Sequence, residues 1–369
     1  MNVPLLDVNA QNHPLRAELE GAFSRILTSG RFILGEEMEA FEAECASMIG
    51  VKHALAVSSG TDALILALMT LNIKAGDEVL CPSFTFFATA GAIYRLGATP
   101  VFCDVDPEDF GICLNSAVQK ITERTKCIMP VHLFGQCVNM LEVSAFAQQH
   151  GLSVLEDCAQ AIGATYSNKQ AGTIGKIGAY SFFPSKNLGG FGDGGLVTTN
   201  DEELVERMAR LRNHGMYPKY YHGEVGGNFR LDAIQCALLR VKLPHYGNYL
   251  ANRRSNANFY LTSLASHNGL ILPKEKENCG HTWNQFTMRI KDGRRDEFKQ
   301  HLTSNSVGSE IYYPVPLHQQ ECFAKLPSHC KSGCEVSHLL SQEVISIPVY
   351  PELSRQQKEK VVQTCLAFQ

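Results

Sequence analysis

Three short stretches combine residue types that can do chemistry. The first is 177–199, IGAYSFFPSKNLGGFGDGGLVTT. Here Lys186 follows a run that is uncharged from Ile177 to Phe183, and Gly189, Gly190, Gly192, Gly194 and Gly195 surround Asp193 just after it. A lysine at the end of a buried strand is partly desolvated, and desolvation lowers an amine's pKa. A less protonated amine attacks an aldehyde, which is what a Schiff-base lysine requires. Taken alone, the stretch reads equally well as an ordinary loop lysine. The second stretch is 152–164, LSVLEDCAQAIGA, in which a strand over 152–156 points Asp157 off its C-terminal end. Open α/β sheets bind ligands at that end. A carboxylate there can pair with a cationic ring nitrogen, or it can simply cap a helix. The third is Ser58-Ser59-Gly60-Thr61-Asp62, between a strand and a helix. Free N–H groups and the partial positive charge of a helix N-terminus suit a phosphate. Gly60 permits close backbone approach and the hydroxyls add donors, although capping by Ser59 or Thr61 is the plainer reading.

The elements that must position these groups alternate. Helices are predicted over 37–48, 61–71, 86–96 and 141–150. Strands are predicted over 53–58, 78–81, 100–103, 126–132, 152–156, 177–183 and 195–199. Continuous apolar strands alternating with helices predict an α/β fold with a mostly parallel sheet covered on both faces. A helix from Asp201, a Gly- and Tyr-rich loop over 215–229 and a helix over 231–243, ended by Pro244, follow. The rest differs in character: a long polar helix (249–266), a strand (284–291), a helix (295–303), the extended IYYPVPLH (311–318) and a helix from Ser354. This predicts a large unit over 1–245, including the N-terminal segment, and a smaller α+β unit over 246–369.

Composition narrows the function classes. The chain has 369 residues, 44% hydrophobic and 19% charged, which suits a large globular core. Its net charge is −4, so nucleic acid is not an expected partner. No stretch reaches the ~20 apolar residues of a membrane helix. Residues 1–14 lack the basic start and apolar run of a signal peptide, which predicts a cytoplasmic protein. The 13 cysteines are scattered without a CxxC and read as reduced, mostly buried thiols. Cys330 and Cys334, with His318, His329 and His338 nearby, do not match the spacing of a zinc finger, so no metal is expected. The glycines of 189–195 are followed by a strand, not a helix, which excludes a dinucleotide fingerprint. YxxxK, GxxxxGK[ST] and GxSxG are all absent.

Taken together, a phosphate cradle, a carboxylate for a ring nitrogen and a lysine for an aldehyde fit one ligand, pyridoxal 5'-phosphate. At this point the sequence resembles the DegT/DnrJ/EryC1/StrS family of sugar aminotransferases, from Ser29-Gly30 to about Val362. The matching blocks stand in the family's order: SSGTDALILAL (58–68), GDEVLCPSFTFFATAGAI (76–93), PVFCDVD (100–106), VHLFGQ (131–136), EDCAQAIGA (156–164), SFFPSKNLGGFGDGG (181–195), GGNFRLDAIQCALLRVKL (226–243) and YYPVPLH (312–318). The resemblance implies the aspartate-aminotransferase-like fold (PLP fold type I) and amination of a keto-sugar carried on a nucleotide, with glutamate as donor. It implies that Lys186 is the Schiff-base lysine, Asp157 the partner of the ring nitrogen, Gln160 a donor to the phenolic oxygen and Phe86 a ring-stacking residue. Gly60, Thr61 and Ser181 would bind the phosphate. Asn228 would reach the phosphate of a neighbouring subunit, so a homodimer with shared sites is implied. Some relatives replace the lysine with histidine and act as dehydratases; Lys186 favours transamination. The loop KYYHGEVGGNFRLD (219–232) is more similar to members acting at the sugar's third carbon than at its fourth, where "GYNYRM" is frequent. Lys219 would then lie near the nucleotide diphosphate, with Tyr313 and His318 facing the sugar. Phe183 departs from the tyrosine that relatives often carry. Amination at the fourth carbon, a dehydratase and a regulator without turnover are the other readings.

Overall fold

Seven apolar segments, each four or five residues long and almost wholly buried, build the central sheet. In chain order they are β1 (His53–Val57), β2 (Glu78–Pro82), β3 (Thr99–Cys103), β4 (Thr125–Ile128), β5 (Ser153–Asp157), β6 (Ile177–Ser181) and β7 (Gly195–Thr199). The computed structural model, which describes residues 1–368, orders them β1-β7-β6-β5-β4-β2-β3. The pairs β2–β3, β2–β4, β4–β5 and β5–β6 are parallel, whereas β7 runs antiparallel to both β1 and β6. The sheet is therefore mostly parallel, as the alternation predicts. The exception has a local cause. The link from Ser181 to Gly195 holds no helix to carry a crossover, so the chain returns antiparallel.

Helices α1 (Arg16–Ser29), α2 (Glu36–Ile49), α3 (Gly60–Thr70), α4 (Ala88–Arg95), α5 (Met140–His150), α6 (Glu202–Arg212) and α7 (Ala233–Lys242) flank the sheet. One face is covered by α3, α4 and α6, the other by α2 and α7. Helix α3 reads GTDALILALMT, and Ala63 through Leu68 are all buried, so it is clamped on nearly every side. Its N-cap is Ser59, whose Oγ accepts from the Asp62 N–H at 3.0 Å. The predicted strand 126–132 stops at Ile128, and Pro130, which lacks an N–H, follows. Pro244 sits in a single 3₁₀ turn (243–245), where its missing N–H costs nothing, and the chain runs straight into the next helix at Tyr246 rather than Tyr249. Helix α1 was not anticipated; it buries Leu19, Ala22 and Ile26 against α7.

Beyond α7, β8 (Leu270–Ile271), β9 (Phe286–Ile290) and β10 (Val344–Ile347) form an antiparallel sheet in the order β8-β9-β10. Helices α8 (Tyr246–Leu264), α9 (Arg295–Ser304) and α11 (Arg355–Leu366) share its core, and α10 (Glu335–Glu343) leads into β10. Val3 belongs to that same core: its N–H donates to Ser306 O at 3.0 Å and its carbonyl accepts from Gly308 N–H at 2.8 Å. Two buried polar groups tie the 330s to β3. Asp104 accepts from the N–H groups of Val336 and Ser337, and Lys120 donates to the carbonyls of Phe102 and Ser332. Cys334 lies at this seam beside Lys120, whereas His318 and His338 turn to other partners, Ser83 and Gln319. Among the described residues no helix is long and apolar enough to cross a membrane.

Candidate active site

A cavity of about 470 Å³ opens where β5 and β6 end and α3 begins. Its floor is Asp157, the last residue of β5, which is 4% exposed. One carboxylate oxygen accepts from Thr89 Oγ1 at 2.8 Å and the other from the Ala159 N–H at 3.1 Å. Burial pushes its pKa up, while these two donors and the nearby Lys186 amine oppose the rise. Lys186 sits in the Ser181-to-Gly195 link. The residue keeps some solvent contact, but burial around its amine lowers its pKa to about 8, with Asp157 pulling the other way. At neutral pH this amine loses its proton far more easily than an ordinary lysine.

The opposite end of the cavity is built by three chain segments in near contact. A Cβ added to Gly60, the first residue of α3, would lie 2.7 Å from Ser181 Cβ. A Cβ on Gly195, the start of β7, would lie 2.5 Å from Ser59 O. Only glycine fits at either place, and the result is a shallow, Cβ-free surface of helix N-terminal N–H groups and the Ser181 hydroxyl. Such a surface suits an anion with several oxygens. Ser58 and Ser59 both donate to Asp62 Oδ2, at 2.6 and 3.1 Å, which fixes the first turn of α3.

The side wall is Gln160, Phe86 and Tyr313. Gln160 Oε1 accepts from the Phe134 N–H at 2.7 Å and its Nε2 donates to Tyr313 Oη at 3.2 Å, which fixes the amide orientation. The Phe86 ring is 56% exposed and stands 6.1 Å from that of Tyr313. Beneath the floor lies a buried polar hub. His132 Nε2 and Glu156 Oε2 are 2.9 Å apart and wholly buried. Glu156 also accepts from the N–H groups of Gly172, Ile174 and Gly175, and these donors hold it ionised despite its burial. The His132 N–H donates to Asp157 O at 3.0 Å, so the hub anchors the end of β5. His132, Glu156 and Cys158 are close enough to share an ion, but the carboxylate is already saturated by amides.

Eight of the residues singled out in the sequence thus line one cavity: Gly60, Thr61, Phe86, Asp157, Gln160, Ser181, Lys186 and Tyr313. Three do not. Asn228 is exposed on the loop before α7. Lys219 is exposed, with its amine 5.1 Å from the Tyr220 ring centroid. His318 Nδ1 is 2.6 Å from Ser83 Oγ, and the ring does not line the cavity. Sequence reasoning missed Thr89, Ser185, Gln285 and Tyr312. Thr89 lay one turn beyond Phe86 in a block already recognised, and that spacing could have drawn attention to it.

The family model described as the DegT/DnrJ/EryC1/StrS aminotransferase family matches residues 14–366. A UDP-N-acetyl-3-dehydro-alpha-D-glucosamine 3-aminotransferase of Acidithiobacillus ferrooxidans is 44% identical over 97% of this chain and 96% of its own length. A protein of Geobacillus stearothermophilus named pleiotropic regulatory protein is 42% identical over 100% of this chain and 99% of its own. The crystal structure of Streptomyces venezuelae DesV in complex with a ketimine intermediate superposes with a TM-score of 0.95 at 40% identity, covering 99% of this chain and 98% of that one. The chain has the fold of the type I pyridoxal-phosphate aminotransferases. It belongs to the DegT/DnrJ/EryC1/StrS aminotransferase family, whose members are pyridoxal-phosphate enzymes.

Proposed function

We propose that this protein transfers an amino group from glutamate to a nucleotide-linked keto-sugar, at the sugar's third carbon. The observation that carries the chemistry is one cavity holding a lysine of lowered pKa, a buried carboxylate and a Cβ-free anion cradle. Pyridoxal phosphate, when bound, supplies an aldehyde and an electron-withdrawing ring. Gly60, Thr61 and Ser181 would hold its phosphate, Asp157 would keep a proton on its ring nitrogen, Gln160 would donate to its phenolic oxygen and Phe86 would cover its ring. Lys186, its amine partly deprotonated by burial, would be the group that holds the cofactor's aldehyde end and, when free, the general base placed to take a proton from the donor's Cα. Thr89 and the Ala159 N–H favour the ionised form of Asp157 against the cost of its burial.

The third-carbon assignment is supported by the loop over 219–232 and by the names of the relatives. Tyr313, already on the cavity wall, faces the sugar; His318, held by Ser83 in the 3₁₀ turn over Leu317–Gln319, would reach it only by leaving that contact. Asn228 and Lys219 lie outside their own subunit's cavity, which is where residues that serve a neighbouring copy must be. With the exposed Phe23, Leu27, Phe32 and Ile33, this supports a homodimer with shared sites. Residues 246–369 form the smaller unit on this reading.

The test is a visible spectrum of the purified holoenzyme before and after glutamate, followed by turnover with 3-keto and 4-keto nucleotide sugars. A yellow band that glutamate bleaches and product from the 3-keto sugar are expected. An active Lys186→Ala variant would refute the lysine's role, and turnover of the 4-keto sugar alone would refute the regiochemistry.

A further inference from the structure

Arg253 is the most conspicuous charged group that this reaction scheme does not use. It projects from α8 and is 3% exposed. Only Nη1 is hydrogen-bonded, to the carbonyls of Trp283 at 3.0 Å and Asn284 at 3.3 Å. Its Nε is buried with no acceptor. Among the described residues no carboxylate lies within 4.0 Å of the guanidinium. Glu352 attracts it from farther away, and that carboxylate has its own unpartnered oxygen. A guanidinium presents five donors in a planar fork that matches a carboxylate, and burying it without one is costly.

Where Arg253 points gives the clue. It lines a small cavity of about 40 Å³. Ser185, Gln285 and Tyr312 line both this cavity and the large one that holds Lys186. Asn284 and Tyr350 add further polar groups to the small cavity, and Leu5 and Leu6 of the N-terminal segment wall it in part. A space of this size exceeds the one probe sphere a water needs. It suits a single carboxylate group and is too small for a nucleotide diphosphate. Ser185 is the immediate neighbour of Lys186, so the two cavities share a wall next to the lysine.

We infer that Arg253, with Ser185 and Tyr312, receives a carboxylate of the amino donor. This rests on the transaminase reading and adds the donor subsite to it. The bidentate, charge-assisted contact orients the donor's Cα over Lys186.

The experiment uses the pyridoxal-phosphate-loaded enzyme and two probes: glutarate, a dicarboxylate without an amine, and glutamate. Glutarate binding is followed by calorimetry, and the glutamate half-reaction by loss of the visible band. Arg253→Gln is expected to weaken glutarate at least ~30-fold and to raise the glutamate concentration for half-maximal bleaching similarly, since truncating one partner of a buried pair has effects of that order. The KM for the keto-sugar is expected to stay within about twofold. Ser185→Ala combined with Tyr312→Phe leaves Arg253 and its carbonyl contacts in place, and is expected to weaken glutarate ~5- to 10-fold. That second variant decides the matter if Arg253→Gln does not fold. Unchanged glutarate and glutamate dependence in a folded Arg253→Gln holoenzyme would overturn the inference and leave Arg253 a partner of Glu352 alone. Failure of glutamate to bleach the unaltered enzyme would instead refute the transaminase reading.

Discussion

Gly60→Ala puts the anion cradle under direct test, because two opposing effects have opposite signs. In an open helix interior, alanine is better than glycine by about 1 kcal/mol. Gly60 is the first residue of α3, so the gain there is at most a part of that. Against it, the new Cβ would lie 2.7 Å from Ser181 Cβ, 3.1 Å from Ser181 Oγ and 3.4 Å from Ser181 Cα. Optimal carbon contacts are about 3.5–4.0 Å, so the overlap is close to 1 Å. Neither side can yield. Ser181 is paired in register with Gly195 of β7, and α3 is clamped by burial from Ala63 to Leu68. Overpacking in such a place costs about 1–3 kcal/mol, towards the upper end here. The net expectation is a loss of ~1–2 kcal/mol and a melting point lower by a few degrees. The same methyl fills the surface a phosphate must approach, so pyridoxal phosphate binding should weaken at least tenfold. The assay is thermal melting of the apoprotein together with a cofactor titration. Adding Ser181→Gly to Gly60→Ala removes the colliding Cβ and should recover most of the lost melting temperature. A Gly60→Ala protein that melts at or above the parent's temperature, with undiminished cofactor affinity, would refute the reasoning.

Other expectations test the rest of the site. With Lys186 at about 8, the apoprotein's imine formation with pyridoxal phosphate should rise with pH through a midpoint near 8, more than two units below an ordinary lysine; a midpoint near 10 would contradict the burial argument. Thr89→Val removes one of the two donors to Asp157, weakening the ionised form by about 1.5–3 kcal/mol. The carboxyl pKa then rises further, so the acid limb of the kcat profile should move to higher pH, while the melting point changes little. Glu156→Ala strips the acceptor from His132 and three backbone N–H groups in a dry interior, and should cost about 3–5 kcal/mol in denaturant unfolding; a loss below 1 kcal/mol would show that the hub is not needed.

The large sheet was legible in the sequence because each strand is a short apolar run bounded by turn residues, with helical periodicity between. Lys186 and Asp157 were legible as chemistry for the same reason: each polar group stands at the edge of an apolar run. The antiparallel β7 could have been read from the helix-free, glycine-rich link before it. Helix α1 escaped because only Leu19, Ala22 and Ile26 of its fourteen residues are buried, too thin a stripe to stand out. Strand β10 escaped because VISI is four residues long and follows a helix without a turn. Arg253 could not be singled out, since one of two adjacent arginines in a polar helix looks like surface; the packing of α8 against the segment at 283–284 buries it.

The place of β1 at the sheet edge has a consequence for how the protein is made. Among the described residues its one partner in the sheet is β7, and the register joins Val57 to Gly195 and His53 to Thr199. The helix that opens the anion cradle hangs directly off β1. On the ribosome, β1 and α3 therefore wait for roughly 140 more residues before the strand that docks them is synthesised. At about 5–20 residues per second that interval is roughly 7–28 s, during which β1 can pack on α2 and α3 on α4 but β1 has no strand to pair with. Contacts of such sequence separation also slow the final closure. Gly195 completes the cradle beside Ser59 only when β7 inserts, so cofactor capture should follow that insertion, and cofactor supply during synthesis should raise the yield of folded chain by mass action.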